Sequence, residues 1–408
     1  MRNYFLYDAI SKNLVTFEEF IESLNKRKGY FEIWQYKNFI EFIENFVFAL
    51  INNKPITLLD KDFSDTELES LGFKNGNTKY SEIEQPHKIV NTAAFIEALL
   101  NSTSEITLFT SGTTGIPKTV IHTVKSLTRM TRVDTNNRHH IWAMCYNLTH
   151  MAGLQVLFQA LLNLNKIIYL FESSISSIED ILNKEKITHI SATPTFYRLL
   201  LATNAIHPYI LRTTLGGEKS DEKLYSALKT KFPNAKFNNI YASTELGSLF
   251  IGKGERFTVP ENIKSFIKIG TDNELLIHKS VAGKTNVDDN WFATGDTVTI
   301  VNENPLSFCF SNRKNDMINT GGYKVNPVEV EEILCKIDGV LNARVFGKTN
   351  SVLGNIICAE VILAESCNIT LSQIKEILSK DMQEFKVPRI IKIVDKIEST
   401  RTGKLSRK

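Results

Sequence analysis

Cysteine is scarce and scattered: five thiols in 408 residues, Cys145, Cys309, Cys335, Cys358 and Cys367, with no Cys-x-x-Cys pair among them. An odd, dispersed set argues against a disulfide framework and a cysteine zinc site, and fits buried thiols in a reducing compartment. Neither sign of charge is in excess. With 48 basic against 45 acidic residues there is no general basic field to hold nucleic acid, although Arg401 to Lys408 form a basic tail. No apolar run is long enough to span a bilayer, and the richest, Met151 to Leu164, is interrupted by Gln155 and Gln159. Asp8 and Lys12 break any signal-peptide core in the first residues. The eight histidines show no ligand spacing, and His139 with His140 read as a polar loop. The expectation is a cytoplasmic protein with no nucleic-acid partner and no membrane span.

What is present is ample apolar material, 42% of the chain, at a length that exceeds one hydrophobic core. Two domains of unequal size follow. Phe39 to Leu50 carries an amphipathic helical pattern, with Phe39, Ile40, Ile43, Phe46, Val47 and Leu50 on one face and Glu41 and Glu44 opposite. Strands are expected at Pro55 to Leu59 and Ile106 to Phe109, with a helix at Thr92 to Leu100 between them. Beyond these, Lys125 to Val133 reads as helix and Ile141 to Cys145 as strand. Three strand–helix steps follow: Lys166 to Phe171 with Ser177 to Asn183, His189 to Ala192 with Pro194 to Ala202, and Arg212 to Leu215 with Asp221 to Lys231. Such alternation marks a wound α/β sheet. After Lys314 the pattern becomes a small α+β unit, with helices Pro327 to Lys336 and Leu371 to Asp381 among three strands.

The chemistry is concentrated in Thr110 to Lys118, TSGTTGIPK, directly after the Ile106 strand. Thr110, Ser111, Gly112, Thr113, Thr114, Gly115 and Lys118 combine hydroxyls, two flexible glycines and a mobile cation, a composition suited to cradling an anion. The spacing is not that of a Walker loop, because Ile116 and Pro117 separate glycine from lysine. A solvated surface loop has the same composition. In YASTELG, Tyr241 offers a ring for a base, Thr244 a hydroxyl for phosphate and Glu245 an acid for a divalent cation. The same letters also make a helix N-cap. Gly216, Gly217 and Glu218 close a strand at the ligand-facing edge of an open sheet, where a plain turn would look alike.

These segments, together with WFATGD (Trp291 to Asp296), SNRKNDMINTGGYKVNPVEVEEIL (Ser311 to Leu334) and RTGKLSR near the C-terminus, resemble in order the motifs of the adenylate-forming superfamily. That family comprises acyl-CoA and aryl-CoA synthetases, luciferases and peptide-synthetase adenylation domains. The resemblance implies a large N-terminal domain of wound α/β sheets with a small β-rich part, residues 1–312, and a small mobile α+β lid, residues 313–408, hinged near Asn315. It places Thr110 to Lys118 on phosphates, Gly216 to Glu218 and Tyr241 on adenine, Thr244 on the α-phosphate and Glu245 on Mg²⁺. It places Asp296 on the ribose hydroxyls, Arg313 on ribose and phosphate, and Lys404 on a loop that swings in for catalysis. His150, in YNLTHMAGL, would border the acyl pocket, and Gly321 and Gly322 would line a tunnel for a phosphopantetheine thiol. Ala242, Ala293, Asn312 and Asn315 depart from the family's usual residues. The implied function is ATP- and Mg²⁺-dependent activation of a small carboxylic acid as an acyl adenylate, followed by transfer to CoA or a carrier protein. A catalytically silent AMP-binding scaffold and an adenylate-forming enzyme with a non-thiol acceptor are the alternatives.

Overall fold

The computed structural model describes residues 4–398, apart from 62, 74–78, 111–117, 245, 282–289, 314–315, 321–322, 351–353 and 366. The chain begins with β1 (Leu6–Asp8), β2 (Leu14–Val15) and helix α1 (Phe17–Lys26), which starts at a reciprocal capping box between Thr16 and Glu19. There follow β3 (Gly29–Gln35), α2 (Phe39–Ile51), β4 (Ile56–Leu59), α3 (Asp65–Ser70), β5 (Lys79–Glu82), α4 (Thr92–Leu100), β6 (Glu105–Thr110) and β7 (Lys118–Thr123). Five of these strands form one sheet in the order β5-β3-β4-β6-β7.

Helix α2 keeps the expected apolar face, with Phe39, Ile43, Phe46, Val47 and Leu50 buried and Glu41 exposed, but its burial reaches further round. Phe42, Ile43, Phe46, Val47, Phe48 and Leu50 are all buried, and so is the polar Asn45. The reason is position: α2 lies in a core shared with α4, with the next long helix, Met151–Leu162, and with one face of a second sheet. Asn45 is tolerated because its amide closes on one backbone unit, accepting from Phe31 N at 2.7 Å and donating to Phe31 O at 3.0 Å. Each fully buried large apolar side chain contributes about 1.5–3 kcal/mol.

The second sheet is built from α5 (Val124–Leu127), β8 (Ile141–Met144), α6 (Met151–Leu162), β9 (Lys166–Tyr169), α7 (Ile175–Lys184), β10 (His189–Ala192), α8 (Pro194–Leu200), β11 (Arg212–Gly216), α9 (Glu222–Lys231) and β12 (Lys236–Ser243). Strands β1, β9, β8, β10, β11 and β12 run parallel side by side, as the strand and helix alternation implied. One face carries the core around α2; the other packs on α7, α8 and α9. After β12 the same path turns antiparallel through β13 (Gly247–Lys253), β14 (Arg256–Thr258), β15 (Ile267–Ile269), β16 (Glu274–His278), β17 (Trp291–Glu303) and β18 (Leu306–Arg313). This is the β-rich part, with its own aromatic core around Phe250, Phe257 and Phe308.

The helix expected over Lys125 to Val133 is a correction. Only one turn forms, α5, because the β-branched Thr128 bonds its hydroxyl back to Val124 O at 2.8 Å and the chain then runs out as coil.

The third unit comprises β19 (Ile318–Thr320), β20 (Tyr323–Val325), α10 (Pro327–Lys336), β21 (Val340–Asn350), β22 (Gly354–Leu363), α11 (Leu371–Asp381) and β23 (Ile390–Ile393), around a separate core. Asn315, the expected pivot, lies outside the described residues. The unit rests against α8 and α9: Lys219 Nζ lies 2.7 Å from Glu332 Oε1, and Lys223 Nζ donates to Cys335 O at 2.6 Å. Burial at this contact pushes the Cys335 thiol up to about 11. Among the described residues no helix is long and apolar enough to cross a membrane.

Candidate functional site

Strands β6 and β7 pair antiparallel from Glu105 with Thr123 to Thr110 with Lys118, so the glycine-rich segment joins the two arms of a hairpin. Ser111, Gly112, Thr113, Thr114 and Gly115 lie outside the described residues. A strand follows this segment, not a helix, so an anion held here would draw on backbone amides, hydroxyls and lysine without a helix dipole. Four residues past Lys118, the buried His122 brings its Nε2 to 2.6 Å from Thr244 O. A carbonyl oxygen can only accept, so Nε2 carries the proton and donates. The bond joins the hairpin of the first sheet to the β12–β13 turn of the second. Thr244 sits on that turn, and Glu245 next to it lies outside the described residues.

Tyr241, near the end of β12, stacks on Phe310 with ring centroids 4.3 Å apart. One face of the ring expected for adenine is therefore already covered. Its hydroxyl donates to Asp296 Oδ2 at 2.7 Å, and burial followed by the charge of Asp296 raises its pKa well above the ordinary tyrosine value. Asp296 is held at a tight bend. Gly295 adopts φ +75, a conformation that favours glycine, and donates its N–H to Glu274 Oε1 at 2.8 Å. Arg313, paired with Asp296 across β17 and β18, places Nε 3.5 Å from Asp296 Oδ1 and leaves its guanidinium half-exposed. Tyr241, Asp296 and Arg313 thus form one connected polar line.

His150 precedes α6 without capping it; its ring turns instead to the buried Asp60, with Nε2 2.9 Å from Oδ2. Asn147 Nδ2 donates to the same oxygen at 3.2 Å, and Tyr36 donates its hydroxyl to Asn147 Oδ1 at 3.1 Å. Gly153 explains the spacing of the motif. A Cβ there would lie 2.1 Å from Asn147 O, so only glycine lets α6 pack against the backbone that carries this network. At the end of β11, Gly216 lies under the Tyr146 hydroxyl. Glu218 turns its carboxylate to α8, accepting from Thr195 N at 2.9 Å, which satisfies an amide of the first helical turn.

The family profile described as AMP-binding enzyme matches residues 68–272, and the profile described as AMP-binding enzyme C-terminal domain matches residues 329–404. The chain belongs to the AMP-binding enzyme family. Among curated relatives it is 24% identical over 346 residues to the 2-succinylbenzoate--CoA ligase of Listeria monocytogenes, covering 77% of this chain and 71% of that one. Its fold is shared with o-succinylbenzoate coenzyme A synthetase from Bacillus subtilis in complex with ATP and magnesium ion, at TM-score 0.70 and 21% identity over 100% of this chain and 96% of the other. It is also shared with an anthranilate CoA ligase in complex with anthranoyl-AMP, at TM-score 0.72 and 17% identity over 98% and 92%.

In this AMP-binding enzyme the structure brings together Thr244, Tyr241, Asp296 and Arg313 at one end of the β12–β13–β17–β18 region, with the β6–β7 hairpin tied to Thr244. Lys404, Glu245, Gly321 and Gly322 lie outside the described residues, and of Thr110 and Lys118 only the strand backbone is described. The turn offers oxygen donors, the Thr244 hydroxyl and by sequence the Glu245 carboxylate. That chemistry fits a hard cation such as Mg²⁺, which takes one or two protein oxygens and shares phosphate oxygens of a nucleotide. Sequence reasoning missed Asp60, His122 and Arg129. Asp60 had a readable signal, an acid directly after an apolar strand, whereas the other two act on backbone carbonyls that no motif displays.

Proposed function

We propose that this AMP-binding enzyme activates a small carboxylic acid with ATP and passes the acyl group to the thiol of CoA. The observation that carries this reading is the His122–Thr244 bond, which sets the phosphate-loop hairpin beside the turn bearing Thr244 and Glu245, while Tyr241, three residues before Thr244, bonds to Asp296, the strand partner of Arg313. In the first step a substrate carboxylate oxygen bonds to the α-phosphorus of ATP, the bond to the β-phosphate oxygen breaks, and pyrophosphate leaves. In the second the thiol sulfur bonds to the acyl carbon, its proton is lost, and AMP departs. Both steps concentrate negative charge, and the roles assigned to the chain follow from it. Lys118 and the 111–115 segment take the leaving phosphates, Thr244 donates to the α-phosphate, Asp296 accepts from the ribose, and Arg313 faces ribose and phosphate. Mg²⁺, held through Glu245, would neutralise phosphate charge when bound. Lys404, inside the span matched by the C-terminal profile, is assigned to the carboxylate and α-phosphate.

His150, fixed by Asp60, borders the acyl pocket in this reading, and Gly321 and Gly322 admit the pantetheine arm. The relatives make 2-succinylbenzoate and anthranilate the first acids to try. The test mixes protein, ATP, Mg²⁺ and a panel of carboxylic acids with hydroxylamine, then repeats the active acid with CoA or a pantetheinylated carrier and weighs the product. Pyrophosphate with a hydroxamate, and then a CoA thioester, is the expected result. No pyrophosphate from any acid would favour a silent scaffold, and a thioester only on the carrier would move the acceptor from CoA to protein.

A further inference from the structure

The β12–β13 turn is gripped from a single neighbouring segment at two places. His122 on β7 donates Nε2–H to Thr244 O at 2.6 Å. Seven residues later, just after α5, Arg129 donates Nη2–H to Leu246 O at 2.8 Å and to Ser248 O at 3.2 Å, while Nη1–H reaches Val281 O at 2.9 Å. The carbonyls either side of residue 245 are thus each held by a cation-capable side chain. Gln155 of α6 accepts from Ser248 Oγ at 2.7 Å, so the far end of the turn is tied as well. Both gripping side chains belong to the chain that leaves the phosphate hairpin. The His122 ring is itself oriented by Ser126, whose Oγ lies 3.1 Å from Nδ1.

We propose that His122 and Arg129 are positioning residues that clamp the Thr244–Ser248 turn to the phosphate hairpin, fixing where that turn meets the nucleotide's phosphates and their cation. This rests on the reading of the site given above. The backbone carbonyls of Thr244, Leu246 and Ser248 are thereby held by an oriented imidazole and a planar guanidinium, and neither side chain needs to touch the nucleotide. Supporting groups of this kind typically change metal affinity or activity by about 10- to 100-fold when removed. AMP keeps only the α-phosphate contact of Thr244 and lacks the β- and γ-phosphates that share the cation, so it should feel the clamp less than Mg²⁺·ATP does.

The test compares wild type, His122→Leu, His122→Gln and Arg129→Met in calorimetric titrations with Mg²⁺·ATP and with AMP, after thermal unfolding has shown each variant folded. His122→Leu and Arg129→Met should each weaken Mg²⁺·ATP by about 10- to 100-fold and weaken AMP by a clearly smaller factor. His122→Gln, which keeps an N–H donor, should recover most of the loss. Folded variants that bind Mg²⁺·ATP as wild type does, or that lose both ligands equally, overturn the clamp while the nucleotide site stands. A wild-type protein that binds neither ligand overturns the site reading and the clamp with it.

Discussion

Tyr241→Phe removes one oxygen and leaves the stack on Phe310 in place, so it isolates the hydrogen bond that orients Asp296. The bond is short, 2.7 Å, and its acceptor is a carboxylate. Hydrogen bonds to charged groups contribute about 1.5–3 kcal/mol. Burial and the charge of Asp296 hold the phenol pKa far above neutrality, so the hydroxyl keeps its proton and donates at any working pH. Without it Asp296 retains Arg313 at 3.5 Å, but that guanidinium is half-exposed and water screens it. With about 1.4 kcal/mol per factor of ten, ATP and AMP should each bind roughly 10- to 100-fold more weakly, because the ribose is common to both. Turnover at saturating ATP should stay near wild type, since the reacting phosphates are untouched. Calorimetric titration with both nucleotides, alongside steady-state pyrophosphate release, measures this. Unaltered affinity for both nucleotides would refute the role of Tyr241 on Asp296, and loss of ATP binding alone would move that role from the ribose to the phosphates.

Asp60→Leu leaves His150 Nε2–H and Asn147 Nδ2–H without their shared acceptor, at about 1–3 kcal/mol for each buried group, whereas Asp60→Asn keeps an acceptor of the same shape. Chemical denaturation should rank the variants wild type, Asn, Leu, and the acid KM should rise in the same order. Gly153→Ala should cost more than about 3 kcal/mol, because the added carbon meets the backbone of Asn147 and not a flexible side-chain end; a melting temperature near wild type would contradict that packing. Burial alone would raise the pKa of Glu179, but hydrogen bonds from His207, Lys231 and Thr203 bring it down to about 2. A carboxylate depressed in the folded state stabilises above its unfolded pKa near 4.5, and that contribution is lost as pH falls toward 2. Glu179→Gln should therefore be less stable at pH 7 and show a shallower decline across that window in denaturant titrations at stepped pH.

The alternation of strand and helix was legible because the parallel strands are short, largely buried runs of about four residues between helical patterns, as in Lys166–Tyr169 and His189–Ala192. The C-terminal helices were legible almost to the residue, since Asn326 with Pro327 and Thr370 with Gln373 are start signals that local chemistry alone enforces. What escaped the sequence depends on distant partners. Leu6–Asp8 joins the second sheet beside Lys166–Tyr169, a pairing across some 160 residues that no local pattern encodes. Of the two glutamates that suggested a solvent face on α2, Glu41 is exposed, while Glu44 is half-buried and paired with Arg27 at 3.2 Å, a partner no local pattern encodes. The site divides the same way. The motifs holding Tyr241 and Asp296 stand out in the sequence, while their bond to each other, and the contacts of Asp60, His122 and Arg129, arise only once the sheets are packed.

That packing has a consequence for how the site works. Among the described residues the hairpin belongs to one sheet and the Thr244 turn to another, and no strand pairing joins the two sheets. Their relative position therefore depends on the shared core around α2 and α6 and on the few polar bonds that cross the seam. The apolar core resists separation, but burial is roughly proportional to area and has no direction, so it specifies relative position less sharply than polar bonds do. Hydrogen bonds do have direction. Bonds of 2.6 Å from His122 and 2.8 Å from Arg129 can fix the register that the core leaves loose. A triphosphate lying across the seam would meet donors from both sheets at once, and its affinity would depend on that register being set before it arrives. The same logic separates the acyl side from the phosphate side. Asp60 follows a strand of the first sheet while His150 and Asn147 lie between strands of the second, so this buried network ties the seam at a second place, and loosening either tie should be felt first by the part of the substrate that lies over it.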